Sequence, residues 1–232
     1  MATKEALTRE AKSLPAKDFA QLIDHTLLSP AAVTKDYVAL CNQASEWGFY
    51  SICVPPTWVQ TCSAFLGEST VQLCTVIGFP FGYNTSKSKA FESSNCVDQG
   101  ATELDMVLAI AAFKDKEFAK VEADISEVVK AASGSLVKVI LETAYLDQSE
   151  IIEACKLSEN AGADFVKTST GFAQGGATTK AVEVMRETVG SRLGVKASGG
   201  IRDLATAQAM INAGANRLGA SKSVEILKGL PS

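Results

Sequence analysis

Histidine is almost absent: the 232 residues hold a single one, His25. A zinc site that polarises a carbonyl through several imidazoles is excluded on that ground. Cysteine is present but unpatterned. The six residues Cys41, Cys53, Cys62, Cys74, Cys96 and Cys155 form no C-x-x-C pair and no cluster with histidine, so neither a structural zinc site nor a disulfide framework is expected. Reduced thiols that behave as small buried hydrophobes fit a cytoplasmic protein.

No apolar run approaches the roughly 18 residues that a membrane helix needs. No basic stripe is offered to nucleic acid or anionic lipid, because the net charge of −4 is spread along the chain. The opening stretch MATKEALTREAKSLPAKDFA carries Glu5, Glu10 and Asp18 without a hydrophobic centre. It reads as a surface helix rather than a secretory or transit peptide. No G-x-G-x-x-G turn follows the first β-rich run, so hydride transfer with a dinucleotide is not expected. Low-complexity segments and linkers are also lacking. These absences leave a small-molecule partner, with no nucleic acid and no membrane involved.

What is present is an alternation. Eight β-rich runs, QLIDHT, YSICVP, CTVIGFP, ELDMVLA, LVKVILE, DFVKTS, LGVKAS and NRLGAS, are separated by longer segments such as TKDYVALCNQASEWG and SEIIEACKLSENAGA. In the latter, apolar residues return every three or four positions. The pattern predicts an α/β fold, a (β/α)8 barrel forming a single domain over residues 1–232, with a helical extension over 1–19. A doubly wound open sheet is the competing arrangement. It is disfavoured because the glycines gather late, at 171, 175, 176, 199, 200 and 219, rather than after the first strand.

Catalytic groups of such barrels lie at the carboxyl ends of the strands. The polar residues found there are Asp24, Cys53, Asp105, Glu142, Lys167 and Lys196. Lys167 and Lys196 fall on the sixth and seventh strands, which run about 4.8 Å apart. Two inward ammonium groups at that spacing repel, and repulsion with partial desolvation favours one neutral amine, the form that attacks an aldehyde or ketone. Asp105 is the best placed carboxylate for proton transfer. Asp24 could orient a substrate hydroxyl or cap the next loop. Lys138 lies near the start of its strand, where an ion pair below the mouth competes with catalysis. His25 reads as a hydrogen-bonded packing residue. The loops KASGGIRD and RLGASKS follow strands seven and eight, where barrels often hold a phosphate, and Gly171 with the GGAT run could complete that cradle.

Eight segments in the same order, IDHTLL, SICVPP, VIGFPFG, ELDMV, KVILET, DFVKTSTGF, VKASGGIR and RLGAS, are similar to those of the 2-deoxyribose-5-phosphate aldolases. The resemblance runs from about residue 20 to the last helix. It implies a class I aldolase that cleaves a phosphorylated deoxy sugar through a lysine Schiff base without cofactor or metal. It makes Lys167 the Schiff-base lysine, Lys196 its electrostatic partner and Asp105 the proton shuttle. Gly171, Gly199, Gly200, Gly219 and Ser221 would hold the substrate phosphate. A homodimer is also implied. Two departures stand out: Lys222 follows Ser221 where some members have a small hydroxylated residue, and the sequence ends KGLPS without the tyrosine that some members bring to the site. No tail tyrosine is therefore expected in proton transfer. Cys53 borders the site and is expected to be buried and inert. The alternatives are another Schiff-base phosphosugar aldolase, a transaldolase-like barrel, or a barrel that binds phosphosugar without turning it over.

Overall fold

The computed structural model describes residues 14–230. Eight parallel strands close into a barrel in which each pairs with its neighbours in chain order. They are β1 (Ile23–Thr26), β2 (Ser51–Val54), β3 (Gln72–Ile77), β4 (Glu103–Val107), β5 (Leu136–Ile140), β6 (Phe165–Lys167), β7 (Gly194–Ser198) and β8 (Arg217–Ala220). Every β-rich run of the sequence supplies one of them, and the ladder between β8 and β1 closes the ring. The open sheet is thereby excluded. Of the expected helical extension over 1–19, residues 1–13 lie outside the described residues; within them, helix α1 (Ala16–Ala20) leads into β1.

The helices that return the chain from strand to strand are fixed by their apolar stripes. In α2 (Thr34–Trp47), Tyr37, Leu40, Cys41 and Ala44 recur at helical spacing and are buried against the sheet. In the helix Thr179–Val189, Val182, Met185 and Val189 do the same. Burying one such large apolar side chain is worth about 1.5–3 kcal/mol, more than the helix preference of any ordinary residue, which spans about 0.7 kcal/mol. The ends are set locally. Asp147 caps the helix Gln148–Asn160 by accepting from the Glu150 amide at 2.9 Å, and the Glu150 carboxylate accepts from the Asp147 amide at 2.8 Å. Gly48 ends α2 in the left-handed conformation, φ +68°, where a side chain would be strained.

The main apolar core lies between the sheet and the helices. A second, small cluster of Cys53, Cys74 and Val76, covered by Leu28 and Phe79, occupies one side of the barrel interior. Charged side chains fill much of the remainder, with Phe165 beside Arg217.

Candidate active site

Barrels of this class are ordinarily filled by layers of branched aliphatic side chains. Here Lys138, Lys167, Lys196 and Arg217 face Asp24, Glu103 and Asp105 inside the ring, four basic groups against three carboxylates, all buried. Strand register brings them together. Lys167 and Lys196 are directly paired positions of β6 and β7, and Asp105 pairs with Lys138 across β4 and β5. Glu103 and Asp105 are two residues apart on β4, so the pleat turns both the same way.

Asp105 is the hub. Its Oδ2 accepts from Lys167 Nζ at 2.8 Å and from Lys196 Nζ at 2.7 Å, while its Oδ1 accepts from Lys138 Nζ at 2.8 Å and from the Cys74 thiol at 3.2 Å. Lys138 also donates to Glu103 at 2.6 Å. Lys196 pairs closely with Asp24, whose other oxygen accepts from Arg217 at 2.8 Å. The Arg217 guanidinium lies 3.6 Å from the centre of the Tyr50 ring.

Burial alone would neutralise these groups. For Asp105 it is outweighed by Lys138, Lys167 and Lys196, which hold the carboxyl well below the usual carboxylate range. Asp24 is lowered in the same way: burial opposes, and Lys196, Arg217 and Lys138 prevail. Burial likewise opposes the charge on Lys196, but Asp105 and Asp24 keep that ammonium protonated far above the ordinary lysine value. Lys138 is raised as well, against its burial, by Asp105 and Glu103 among others. Three of the four basic groups are thus committed to carboxylates by more than one contact. Lys167 has Asp105 alone.

Above this network a cavity of about 330 Å³ opens at the carboxyl ends of β6, β7, β8 and β1. Lys167, Thr170, Gly171, Ser198, Gly199, Gly200, Gly219 and Ser221 are among its walls. Bonds between the β6 and β7 ends hold this wall, with Thr168 Oγ1 donating to Ser198 O at 3.0 Å and Ser198 Oγ donating to Ser169 O at 2.6 Å. Two of these glycines leave little room for a side chain. Gly199 has φ +88°, and a Cβ there would lie 3.1 Å from Gly176 Cα. A Cβ on Gly219 would lie 3.0 Å from Ser198 Cβ and 3.2 Å from Lys196 Cε. A larger groove of about 760 Å³, bordered by Phe81, Tyr83, Ile110 and Tyr145, shares no residue with the charged network. The smaller cavity is the one into which an amine of that network projects.

A family model described as "DeoC/LacD family aldolase" matches residues 19–228. The chain belongs to this aldolase family. Among curated relatives, a deoxyribose-phosphate aldolase of Halalkalibacterium halodurans is 53% identical over 92% of this chain and 96% of its own length. One from a Geobacillus species is 52% identical over 91% and 96%. Among solved structures, a putative deoxyribose-phosphate aldolase from Coccidioides immitis superposes with a TM-score of 0.90 at 39% identity, covering 97% of this chain and 90% of that one.

In this aldolase the structure brings Lys167, Lys196 and Asp105 together and sets Gly171, Gly199, Gly200, Gly219 and Ser221 around one cavity. Asp24, expected to meet the substrate, is placed differently. It is the second residue of β1, fully enclosed beneath Lys196, and Thr26, two residues on, is the β1 residue at the cavity wall. Asp105 and Lys196 also sit below the strand ends, so of the three lysines only Lys167, the last residue of β6, reaches the cavity. Lys138 forms the ion pair below the mouth. Lys222 is exposed beside Glu225 at 3.3 Å and takes no part in the wall. Cys53 is buried in the small inner cluster. His25 is a packing residue, with Nδ1 3.0 Å from Ser223 Oγ, Nε2 2.9 Å from Gln43 Oε1, and its ring against Phe49.

Sequence reasoning missed Glu103, Arg217 and Arg202. Glu103 and Arg217 each lie two residues before a chosen position, Asp105 and Gly219, and the two-residue period would have found them. Arg202 directly follows Gly200 and Ile201 and is among the residues of the cavity wall.

Proposed function

We propose that this aldolase reversibly cleaves 2-deoxy-D-ribose 5-phosphate to acetaldehyde and D-glyceraldehyde 3-phosphate through a Schiff base on Lys167. The observation that carries the reading is that Lys167 alone, among the charged residues inside the barrel, both touches Asp105 and lines the glycine-walled cavity. The family membership and the printed activity of the relatives support it.

The amine of Lys167, once neutral, adds to the C1 aldehyde, and loss of water leaves a protonated imine. Four basic groups against three carboxylates allow one neutral amine without leaving an anion unpaired, and the protonated imine restores the cation beside Asp105. Removal of the C3 hydroxyl proton, to Asp105 directly or through water, drives the electrons of the C2–C3 bond into the imine. The three-carbon aldehyde phosphate departs, and an enamine remains on Lys167. Protonation at C2 and hydrolysis then release acetaldehyde and the amine. Lys196, held protonated between Asp24 and Asp105, has no free lone pair and so does not compete with Lys167 as nucleophile. The phosphate end of the sugar fits the glycine backbones of the β6, β7 and β8 loops with Ser221 and Arg202, a cradle of the kind that binds oxyanions.

Reduction with borohydride in the presence of substrate tests the reading. The peptide containing Lys167 should gain the mass of the reduced adduct, and acetaldehyde should be released in the unreduced reaction. No adduct on Lys167 would remove the mechanism, and an adduct without acetaldehyde would assign a different donor. A homodimer in the cytoplasm belongs to the same reading. Light scattering of the purified chain separates a dimer from the tetramer described for the Aeropyrum pernix relative.

A further inference from the structure

Glu142 stands just past the end of β5 and takes no part in the chemistry above. Its geometry is unusual in three respects. It is a non-glycine residue in the left-handed region, φ +54°. It is buried, with 2% of its surface exposed. And it interrupts a ladder: the Leu141 amide donates to Lys167 O at 2.9 Å, and the Thr143 amide donates to Thr168 O at 2.9 Å. The chain thus advances two residues on one side and one on the other, so Glu142 is the extra residue of a bulge. Bulges beside functional sites re-aim a side chain.

The side chain is aimed at Thr170. A single oxygen, Glu142 Oε2, accepts from the Thr170 amide at 3.1 Å and from the Thr170 hydroxyl in a shorter contact. The Thr170 hydroxyl oxygen in turn accepts from the Phe172 amide at 3.1 Å. The backbone is therefore held on both sides of Gly171, which has φ +83° and lines the cavity together with Thr170 and Phe172. Beyond it, the Phe172 ring meets Phe79 edge-on, with centroids 5.3 Å apart, so the held loop also reaches the β3 side of the mouth.

We propose that Glu142 is a positioning residue that fixes the 170–172 loop as an anion-binding wall, and so sets the preference for a phosphorylated over an unphosphorylated sugar. This rests on the phosphosugar reading of the cavity. A carboxylate suits the task because one oxygen can take both Thr170 donors, and a strained backbone is retained where the surroundings hold it.

The test compares Glu142→Ala and Glu142→Gln in the full chain. Two quantities are read: the ratio of kcat/KM for 2-deoxyribose 5-phosphate to that for 2-deoxyribose, and the affinity for inorganic phosphate by calorimetry. Glu142→Ala should lower the ratio at least tenfold, chiefly through KM for the phosphorylated sugar, and weaken phosphate binding. Glu142→Gln keeps an oxygen for the same two donors and should stay within about threefold of the wild type in both. If the alanine variant does not fold, Thr170→Val, which removes the hydroxyl and preserves shape, should reproduce the loss of ratio. An unchanged ratio in a folded variant, or an equal fall for both sugars, overturns the proposal. If the wild type turns over neither sugar, the function reading fails, and the calorimetric phosphate affinities still decide the role of Glu142.

Discussion

Lys167 and Lys196 occupy directly paired positions on adjacent strands and donate to the same oxygen of Asp105, at 2.8 and 2.7 Å. They differ in what else they touch. Lys196 has a second carboxylate, Asp24, and no access to the cavity, whereas Lys167 has the cavity and no second carboxylate. Two chemically identical side chains, one strand apart, thereby stand in different surroundings.

Replacing Lys196 with methionine should cost both stability and rate. Asp24 and Asp105 would each lose a buried cationic partner, a change that typically costs about 3–5 kcal/mol. In a chain of this size that corresponds to a fall in melting temperature on the order of 10 °C. Turnover at neutral pH should drop about 100-fold or more, read by a coupled acetaldehyde assay. A variant with native rate would remove the like-charge role of Lys196.

Asp105→Asn keeps the volume and one acceptor oxygen but takes away the charge shared by three lysines. We expect kcat to fall about 10²–10⁴-fold, the range of a lost acid–base group, with a smaller effect on KM. Lys167→Ala should abolish borohydride trapping, whereas Asp105→Asn leaves the nucleophile in place. A change confined to KM would show that Asp105 serves binding rather than proton transfer.

Gly219→Ala should crowd the cavity without removing a charge. The added methyl would stand 3.0 Å from Ser198 Cβ and 3.2 Å from Lys196 Cε, tight against both, so each must give way slightly. Overpacking of this kind costs about 1–3 kcal/mol. KM for the phosphorylated sugar should rise alongside the loss of melting temperature. Native KM and stability together would mean that the β8 loop does not bound the phosphate site.

Acid should unfold this protein in two stages. Burial lowers the affinity of His25 for a proton, with Gln43 and Glu225 opposing, so below the unfolded value near 6.5 the unfolded chain binds more protons and stability begins to fall. Asp24 and Asp105 are depressed in the fold, so their contribution is complete above the unfolded carboxylate range near 4 and is lost as pH drops towards their folded values. Lys138 and Lys196 are raised, and their contribution persists until pH exceeds the unfolded lysine value near 10.4. Urea midpoints measured from pH 3 to 9 should show the first decline near 6.5 and a steeper one below 4. His25→Gln should flatten the first and leave the second.

The eight strands were legible because each is a short β-branched or apolar run separated by a longer stretch with helical period, and a closed parallel barrel is the arrangement that uses eight of them. The pairing of Lys167 with Lys196 was legible for the same reason, since both follow equivalent apolar runs. Depth was not. How far a side chain lies below the mouth depends on strand stagger around the ring, which no single run encodes. Asp24 was therefore expected at the cavity, whereas Thr26 is the β1 residue in its wall. Glu142 carried no signal for its role, because a left-handed glutamate in a bulge arises from the neighbouring strand's hydrogen bonds and not from its own preference.

The ionic filling of the barrel also bears on how such a molecule can diverge. A leucine in an ordinary barrel layer can give way to isoleucine or valine with small local adjustment. Here the charges are shared, Asp105 among three lysines and Asp24 between Lys196 and Arg217, and loss of Asp105 would leave Lys167 without a carboxylate, so a substitution at the centre disturbs several partners at once, while the rim loops lie outside the network. New substrate preferences should therefore emerge at the loops, with the seven central charges inherited as a unit.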